Sequence, residues 1–288
     1  MALVALPMYH LLIVSIMWCC RGLLAAALLA AASTAIAQEL FVQTEPASNM
    51  PARSVGLRLS NWMMDEQATA RTNYHFIPEL MWGVNKNLMV HAEGFFSNRS
   101  TGMVAEGVGL YAKYRFYSRD AVYRHFRMAV FGRVSTNNAD IHQQEIQTNG
   151  HNTGYQLGWV GTQLLHKTAI SVTAFYHKAT DNFNNNELPA YVAGDAINYS
   201  LSAGKLMLPR TYKGYKQVNM NIMAELLGQT ITAGGLHYLD IAPSIQFIFH
   251  SQTRLDIGYK QQLYSNMQRT APNGFVLRIE HLLFNAVP

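Results

Sequence analysis

From Asn73 to Ser97 the chain reads NYHFIPELMWGVNKNLMVHAEGFFS, two alternating stretches joined by a short polar turn. Tyr74, Phe76, Leu80 and Trp82 share one parity, and His75 and Glu79 the other. After Gly83–Asn87 the alternation resumes, with Leu88, Val90, Ala92 and Phe96 set against His91 and Glu93. Side chains of a strand point to its two faces in turn, so a period of two means a sheet with one apolar and one polar face. Such a face is covered either by a soluble core or by lipid. In the second case the polar face lines a lumen.

The same rhythm runs along the rest of the chain. Val55, Leu57 and Leu59 begin it, and a long strand follows at Val108, Leu110, Ala112, Tyr114 and Phe116. Further runs sit at 126–134, 155–160, 170–177, 197–203, 218–225, 239–247, 255–259 and 275–279, about twelve strands of roughly ten residues in all. The connections after strands two, six and ten are short, and those after one, five, seven and eleven are long. Broad alternation of this kind suits a barrel with short turns at one end and long loops at the other. A soluble β-sandwich alternates too. Two features favour an antiparallel transmembrane β-barrel instead: Tyr, Phe and Trp near strand ends on the apolar parity, and mid-strand charges on the polar one.

Composition agrees. Charged residues make up 14% of the chain, against about a quarter in ordinary soluble domains. Beyond the amino terminus no segment reaches the roughly 18 apolar residues of a membrane helix. Leu23–Ala32 is an apolar run preceded by Arg21 and followed by Ala35-Ile36-Ala37, the form of a secretory signal cleaved before Gln38. Residues 1–37 are therefore expected to be a signal peptide, with Met17 as the initiator, since Met17–Ala37 is a complete signal by itself. Residues 38–52, with Pro46 and Pro51, read as an irregular periplasmic lead-in, and 53–288 as the barrel. Cys19 and Cys20 both fall in the signal, so the exported chain has neither disulfides nor cysteine chemistry. Loss of Arg21 lowers the net charge from +5 to +4, and no basic stripe with interleaved aromatics points to nucleic acid.

The polar parity nominates the lumen-lining residues: Arg58, Glu79, His91, Glu93, Lys113, Arg115, Arg127, Arg133, Glu225, Asp240, Asp256, Lys260, Arg278 and Glu280. Strands two and three are acidic, four and five basic, and nine to eleven mostly acidic. A simple hairpin about Asp120 would set Arg115 opposite Arg127, an unfavourable like-charge pair. The set as a whole reads either as a ladder of salt bridges between neighbouring strands or as a transverse field that selects solutes. His75, Glu79, His91 and Glu93 share a face and are the residue types that ligate metals, but polar walls produce such groupings by chance, and no metal or other cofactor is expected. His177 and Ser171 lie on the lumen parity without an evident third partner, so no catalytic residues are nominated and the chain is not expected to be an enzyme.

The signal, the repeated strands and the aromatic-bearing last strand, Gly274–Phe284, resemble the porin-like outer-membrane β-barrels of Gram-negative bacteria. Among these the chain is most similar to the barrels grouped with the MetA-type phenol-degradation pathway. The resemblance implies residence in the outer membrane, contact with its lipid, and insertion by the barrel-assembly machinery through the carboxy-terminal strand. It also implies passive passage of small polar or aromatic solutes, or, as the alternative, a non-conducting structural or ligand- or metal-binding barrel. Phe284 departs from the usual terminal aromatic, since it is off the parity of Phe275, Leu277 and Ile279. A bulge near His281 would restore the face.

Overall fold

The computed structural model describes residues 41–66, 71–99, 102–211 and 217–287, and the signal segment 1–37 lies outside the described residues. Twelve strands follow one another in the described part: β1 (Val55–Asp65), β2 (Thr72–Gly83), β3 (Leu88–Ser97), β4 (Val104–Ala121), β5 (Arg124–Asn137), β6 (Thr153–Leu165), β7 (Thr168–Thr180), β8 (Asp195–Leu208), β9 (Asn219–Ile231), β10 (His237–Phe249), β11 (Thr253–Ser265) and β12 (Asn273–Leu283). Each pairs antiparallel with the next, and β1 pairs with β12, so the sheet closes into a barrel. Closure leaves no edge strand with unpaired backbone groups, which an apolar surround demands.

The alternation sorts side chains as the pattern requires. On the outside, Leu80, Leu110, Leu157, Leu201, Ile257 and Phe275 are between 45% and 65% exposed. On the inside, neighbours on the opposite parity such as Glu79, Lys113, Ser202, Asp256 and Glu280 are buried. The apolar side chains thus face outward and the charged ones inward, the reverse of a soluble core. Among the described residues no helix is long and apolar enough to cross a membrane.

Three local geometries differ from the sequence-based expectation. The β4–β5 hairpin turns at Val122–Tyr123, not at Asp120, with Tyr123 at φ 60° and its ring stacked on His166 at 5.3 Å. Arg115 therefore pairs with Ala129, and Arg127 with Ser118, after a register shift between Arg115 and Tyr117. That removes the like-charge pair and lets Arg127 bind Asp120 at 3.1 Å. At the other end of the chain β12 keeps an unbroken register with both β1 and β11. No bulge forms near His281, and Leu283 holds the last strand position on the outward parity in place of Phe284.

The third difference is the segment before β1. Residues 41–52 form no strand, but they lie inside the barrel. Phe41 and Val42 pack with Ala169, Met223 and Val276, and Ala47 and Met50 with Met81, Met89 and Val160. A chain that cannot pair in the closed sheet needs other partners for its backbone groups, and the barrel wall supplies them. The long β5–β6 connection also folds inward: Glu145, Ile146 and Thr148 are buried.

Candidate functional site

The polar wall is built by register. Arg254, Glu280, Arg58, Glu79 and Glu93 fall on one row across β11, β12, β1, β2 and β3. The first four alternate in sign. Arg58 donates to Glu280 at 2.7 Å and to Glu79 at 3.2 Å, and Arg254 reaches Glu280 at 2.7 Å. The fifth, Glu93, would face Glu79 as a like-charge pair, but Arg133 from β5 binds it at 2.9 Å. Ion pairs between neighbouring strands, with one that reaches from β5 across to β3, thus describe this part of the wall. Such pairs are kept in a buried setting only when their lone pairs and protons are well satisfied.

The inner segment 41–52 is a strap bound to this wall. Its successive backbone N–H groups at Val42, Gln43 and Thr44 donate to the Glu225 carboxylate at 2.9, 2.8 and 2.9 Å, and the Thr44 hydroxyl adds a bond of 2.7 Å. Consecutive backbone donors converging on one anion form a nest. Further along, Glu45 accepts from Arg58 at 2.7 Å, and Lys113 donates to the Pro46 carbonyl at 2.6 Å and to Glu45 at 3.4 Å. Ala47 N–H donates to Thr162 Oγ1 at 2.9 Å, and Arg127 donates to Ser48 Oγ at 3.0 Å. Burial raises the Glu45 carboxyl, but the charges of Arg58 and Lys113 override it and hold Glu45 well below the usual carboxylate range.

The β5–β6 loop is fastened from the opposite end. Arg269, in the β11–β12 connection, binds Glu145 at 2.7 Å and Asp240 at 2.7 Å, and its guanidinium lies 3.7 Å from the centroid of the Tyr238 ring. Ile146 exchanges both backbone groups with the Gln229 amide, at 2.9 and 2.8 Å. Burial pushes the Glu145 carboxyl up, yet Arg269 and Lys260 bring it down to about 2. Burial likewise opposes the charge on Arg269, and Glu145 and Asp240 reverse that, so the guanidinium stays firmly protonated.

Strap and loop together border a chamber of about 270 Å³. Of the fourteen nominated residues, Arg58, Glu79, Arg133, Asp240, Lys260 and Arg278 border it. His91, Glu93, Lys113, Arg115, Arg127, Glu225, Asp256 and Glu280 do not. Most of these are buried in the wall or beneath the strap, whereas Arg115 sits near the turns and donates to the Lys86 carbonyl at 2.6 Å. The Lys260 side chain is 9% exposed and has no hydrogen-bond or ion-pair partner among the described residues. Arg278 donates to Ser60 at 3.1 Å through Nε. Trp62, Tyr111, Phe131 and Phe175 add aromatic rings to the chamber's lining.

Several residues of the site were not nominated. Arg99 donates to Glu106 at 2.6 Å and to His151 Nδ1 at 3.0 Å, and the His151 ring lies 4.6 Å from that of His75. That bond makes Nδ1 the acceptor, so Nε2 carries the proton of the neutral ring. Burial, then the charges of Arg99 and Lys260, holds His151 well below the usual imidazole range. Arg254 could have been found by parity, as it precedes Asp256 and Lys260 on the same face. Arg269 and Glu145 carried no such signal, since they lie in connections without periodicity.

Glu79, His91 and Glu93 have one possible ligand atom each within 4.8 Å of the others, and His75 is not part of that group. Both carboxylates are already bound by guanidinium groups, Arg58 and Arg133. His177 Nε2 lies 2.7 Å from Gln156, and Ser171 Oγ lies 2.9 Å from Thr162, so histidine and serine each have a partner other than one another.

No family model matches the sequence, and no curated protein matches it. Solved structures do. The chain is similar to the COG4313 outer membrane channel from Pseudomonas putida F1, with a TM-score of 0.53 and 11% identity over 84% of this chain and 99% of that one. It also aligns with the KdgM porin, at a TM-score of 0.46 and 10% identity over 78% of this chain and 98% of that one. At this identity the likeness concerns the fold, which is that of outer-membrane barrels.

Proposed function

We propose that the protein is a porin-like passive channel of the bacterial outer membrane for small polar or aromatic solutes. The observation that carries this reading is the polar chamber inside an apolar-coated barrel, bordered by charged groups and aromatic rings together. A wall of this composition replaces part of a solute's hydration by hydrogen bonds while the rings take its apolar body. Lys260, with no hydrogen-bond or ion-pair partner among the described residues, and His151, which also borders the chamber, favour a solute with an acceptor or negative group. The short turns and the start of β1 share one end, which on this reading faces the periplasm, as in other bacterial barrels. Lipid contact, delivery by the barrel-assembly machinery and kinship with the MetA-type barrels belong to the same reading.

Reconstitution into planar bilayers tests it. The wild-type protein is expected to give discrete current steps of small conductance, and folded protein that gives none would overturn the channel. The strap and the loop together favour a second reading, a non-conducting barrel that binds its ligand in the chamber. That case would show solute binding by calorimetry without current.

A further inference from the structure

The outer surface is apolar at mid-height and cationic at one rim. Arg119 near the end of β4, Arg124 at the start of β5 and Lys205 near the end of β8 are exposed and lie on the outward parity of their strands. None has a side-chain hydrogen bond or ion pair among the described residues. The inward cations Arg58, Arg127, Arg133, Arg254 and Arg269 are all paired. Asp120, the carboxylate next to Arg119, is taken by His125 and Arg127. Arg119 and Arg124, unpaired cations on the neighbouring strands β4 and β5, repel one another, so their position asks for an external anion.

Register places them together. Arg124 pairs with Leu165, Leu165 with Thr168, and Thr168 with Lys205, so the two cations lie on one row at the turn end. With strands about 4.8 Å apart, three gaps put them roughly 14 Å from each other. Arg119 pairs with Phe126, two residues from Arg124 on the neighbouring strand, which leaves about 8 Å between the arginines. Around them Phe116, Tyr117 and Tyr123 are 51%, 43% and 67% exposed, and on the membrane side Ile170 and Leu201 continue the apolar coat. Exposed aromatics and cations beside an apolar band are the composition of a headgroup layer. The opposite rim is different: Asp65, Asp140, Asp181 and Glu187 are exposed there, a charge that repels phosphate.

We propose that the rim formed by Arg119, Arg124 and Lys205 binds the phosphate of anionic phospholipids in the leaflet at the turn end of the barrel. The guanidinium pair chelates one phosphodiester, and Lys205 takes a second headgroup. This rests on the barrel spanning a membrane but not on its conducting. Loss of current with lipid selectivity intact would therefore tell against the channel alone.

The test is native mass spectrometry of the protein refolded in micelles containing equal phosphatidylglycerol and phosphatidylcholine. Wild type is expected to retain phosphatidylglycerol in preference, by roughly fivefold for each cation engaged. R119Q/R124Q/K205Q should retain the two lipids equally, R119K/R124K/K205R should keep the preference, and Arg71→Gln at the other rim should leave it unchanged. Equal retention by wild type, or an undiminished preference in the glutamine variant, would overturn the proposal.

Discussion

The strap and the β5–β6 loop both enter the barrel, yet they are held by different kinds of anchor. The strap offers its own backbone N–H groups to a carboxylate fixed on β9, Glu225. The loop offers a carboxylate, Glu145, to an arginine that itself sits in a connection, Arg269. β9 serves both, through Glu225 for the strap and Gln229 for the loop. Four residues along a strand separate these two by about 13 Å, so the obstructions stand at different heights. The strap's partner carboxylate belongs to the wall itself, whereas the loop's ion pair runs through Arg269 in a connection, which Asp240 on β10 ties to the wall in turn. The strap, with anchors on β1, β4, β5, β6 and β9, is therefore the more firmly held constriction, and the loop, held to the wall through Gln229 and Asp240, is the more yielding one.

The largest effect should come from breaking the fixed grip. Glu225→Ala leaves three backbone N–H groups and the Thr44 hydroxyl without their acceptor, at about 1–3 kcal/mol for each donor left buried. The strap should detach from β9 over Phe41–Thr44 while the barrel stays folded and Glu45 keeps its bonds to Arg58 and Lys113. Cleavage by chymotrypsin at Phe41 would report its release, and continued protection of Phe41 would contradict the anchor.

Arg269→Ala comes next. It strands Glu145 and Asp240 in a buried setting, a cost of about 3–5 kcal/mol for a broken buried pair. The loop should become labile with the strap still in place, seen as faster hydrogen exchange over 138–152 and not over 41–52.

Acid should separate the two segments as well. The folded value of His151 lies below its unfolded one, about 6.5, so the unfolded loop takes up protons first and the stability this residue contributes falls as pH drops below about 6.5. Glu145 and Glu45 also have folded values below their unfolded ones. Their contributions are fully present above about pH 4.3 and are lost further down, for Glu145 as pH falls through about 2. Exchange protection should therefore weaken in the loop between about pH 6.5 and 4.5 while the strap holds. Simultaneous loss in both segments would contradict the assignment.

The smallest expected effect is that of Thr162→Val, which removes one acceptor from the Ala47 N–H. It should cost about 1 kcal/mol and leave the conductance within error of wild type.

The barrel was legible because its physics is periodic. Each strand's alternation reports which face points out of the barrel, and twelve such reports in sequence leave few architectures. Parity also found Arg58, Glu79, Glu93 and Glu280 on one face, which the register then joined into a ladder. The inner segments were not legible in the same way. Residues 41–52, with Pro46 and Pro51, carry no period, and their destination is decided by a carboxylate some 180 positions later in the chain. Arg269 had no signal either, because its partners lie in another connection and on β10. The position of the β4–β5 turn was missed for a different reason. Val122 and Tyr123 lack the usual turn composition, and the turn is set instead by the length of the two strands that meet there.

Single-channel conductance in planar bilayers, compared between wild type, Glu225→Ala, Arg269→Ala and the double variant, tests most directly whether the two inner segments set the constriction. Stepwise increases are predicted, with Glu225→Ala above wild type, Arg269→Ala noisier and higher than wild type, and the double variant highest. Four indistinguishable conductances from folded barrels would contradict the account and place the constriction in the wall itself.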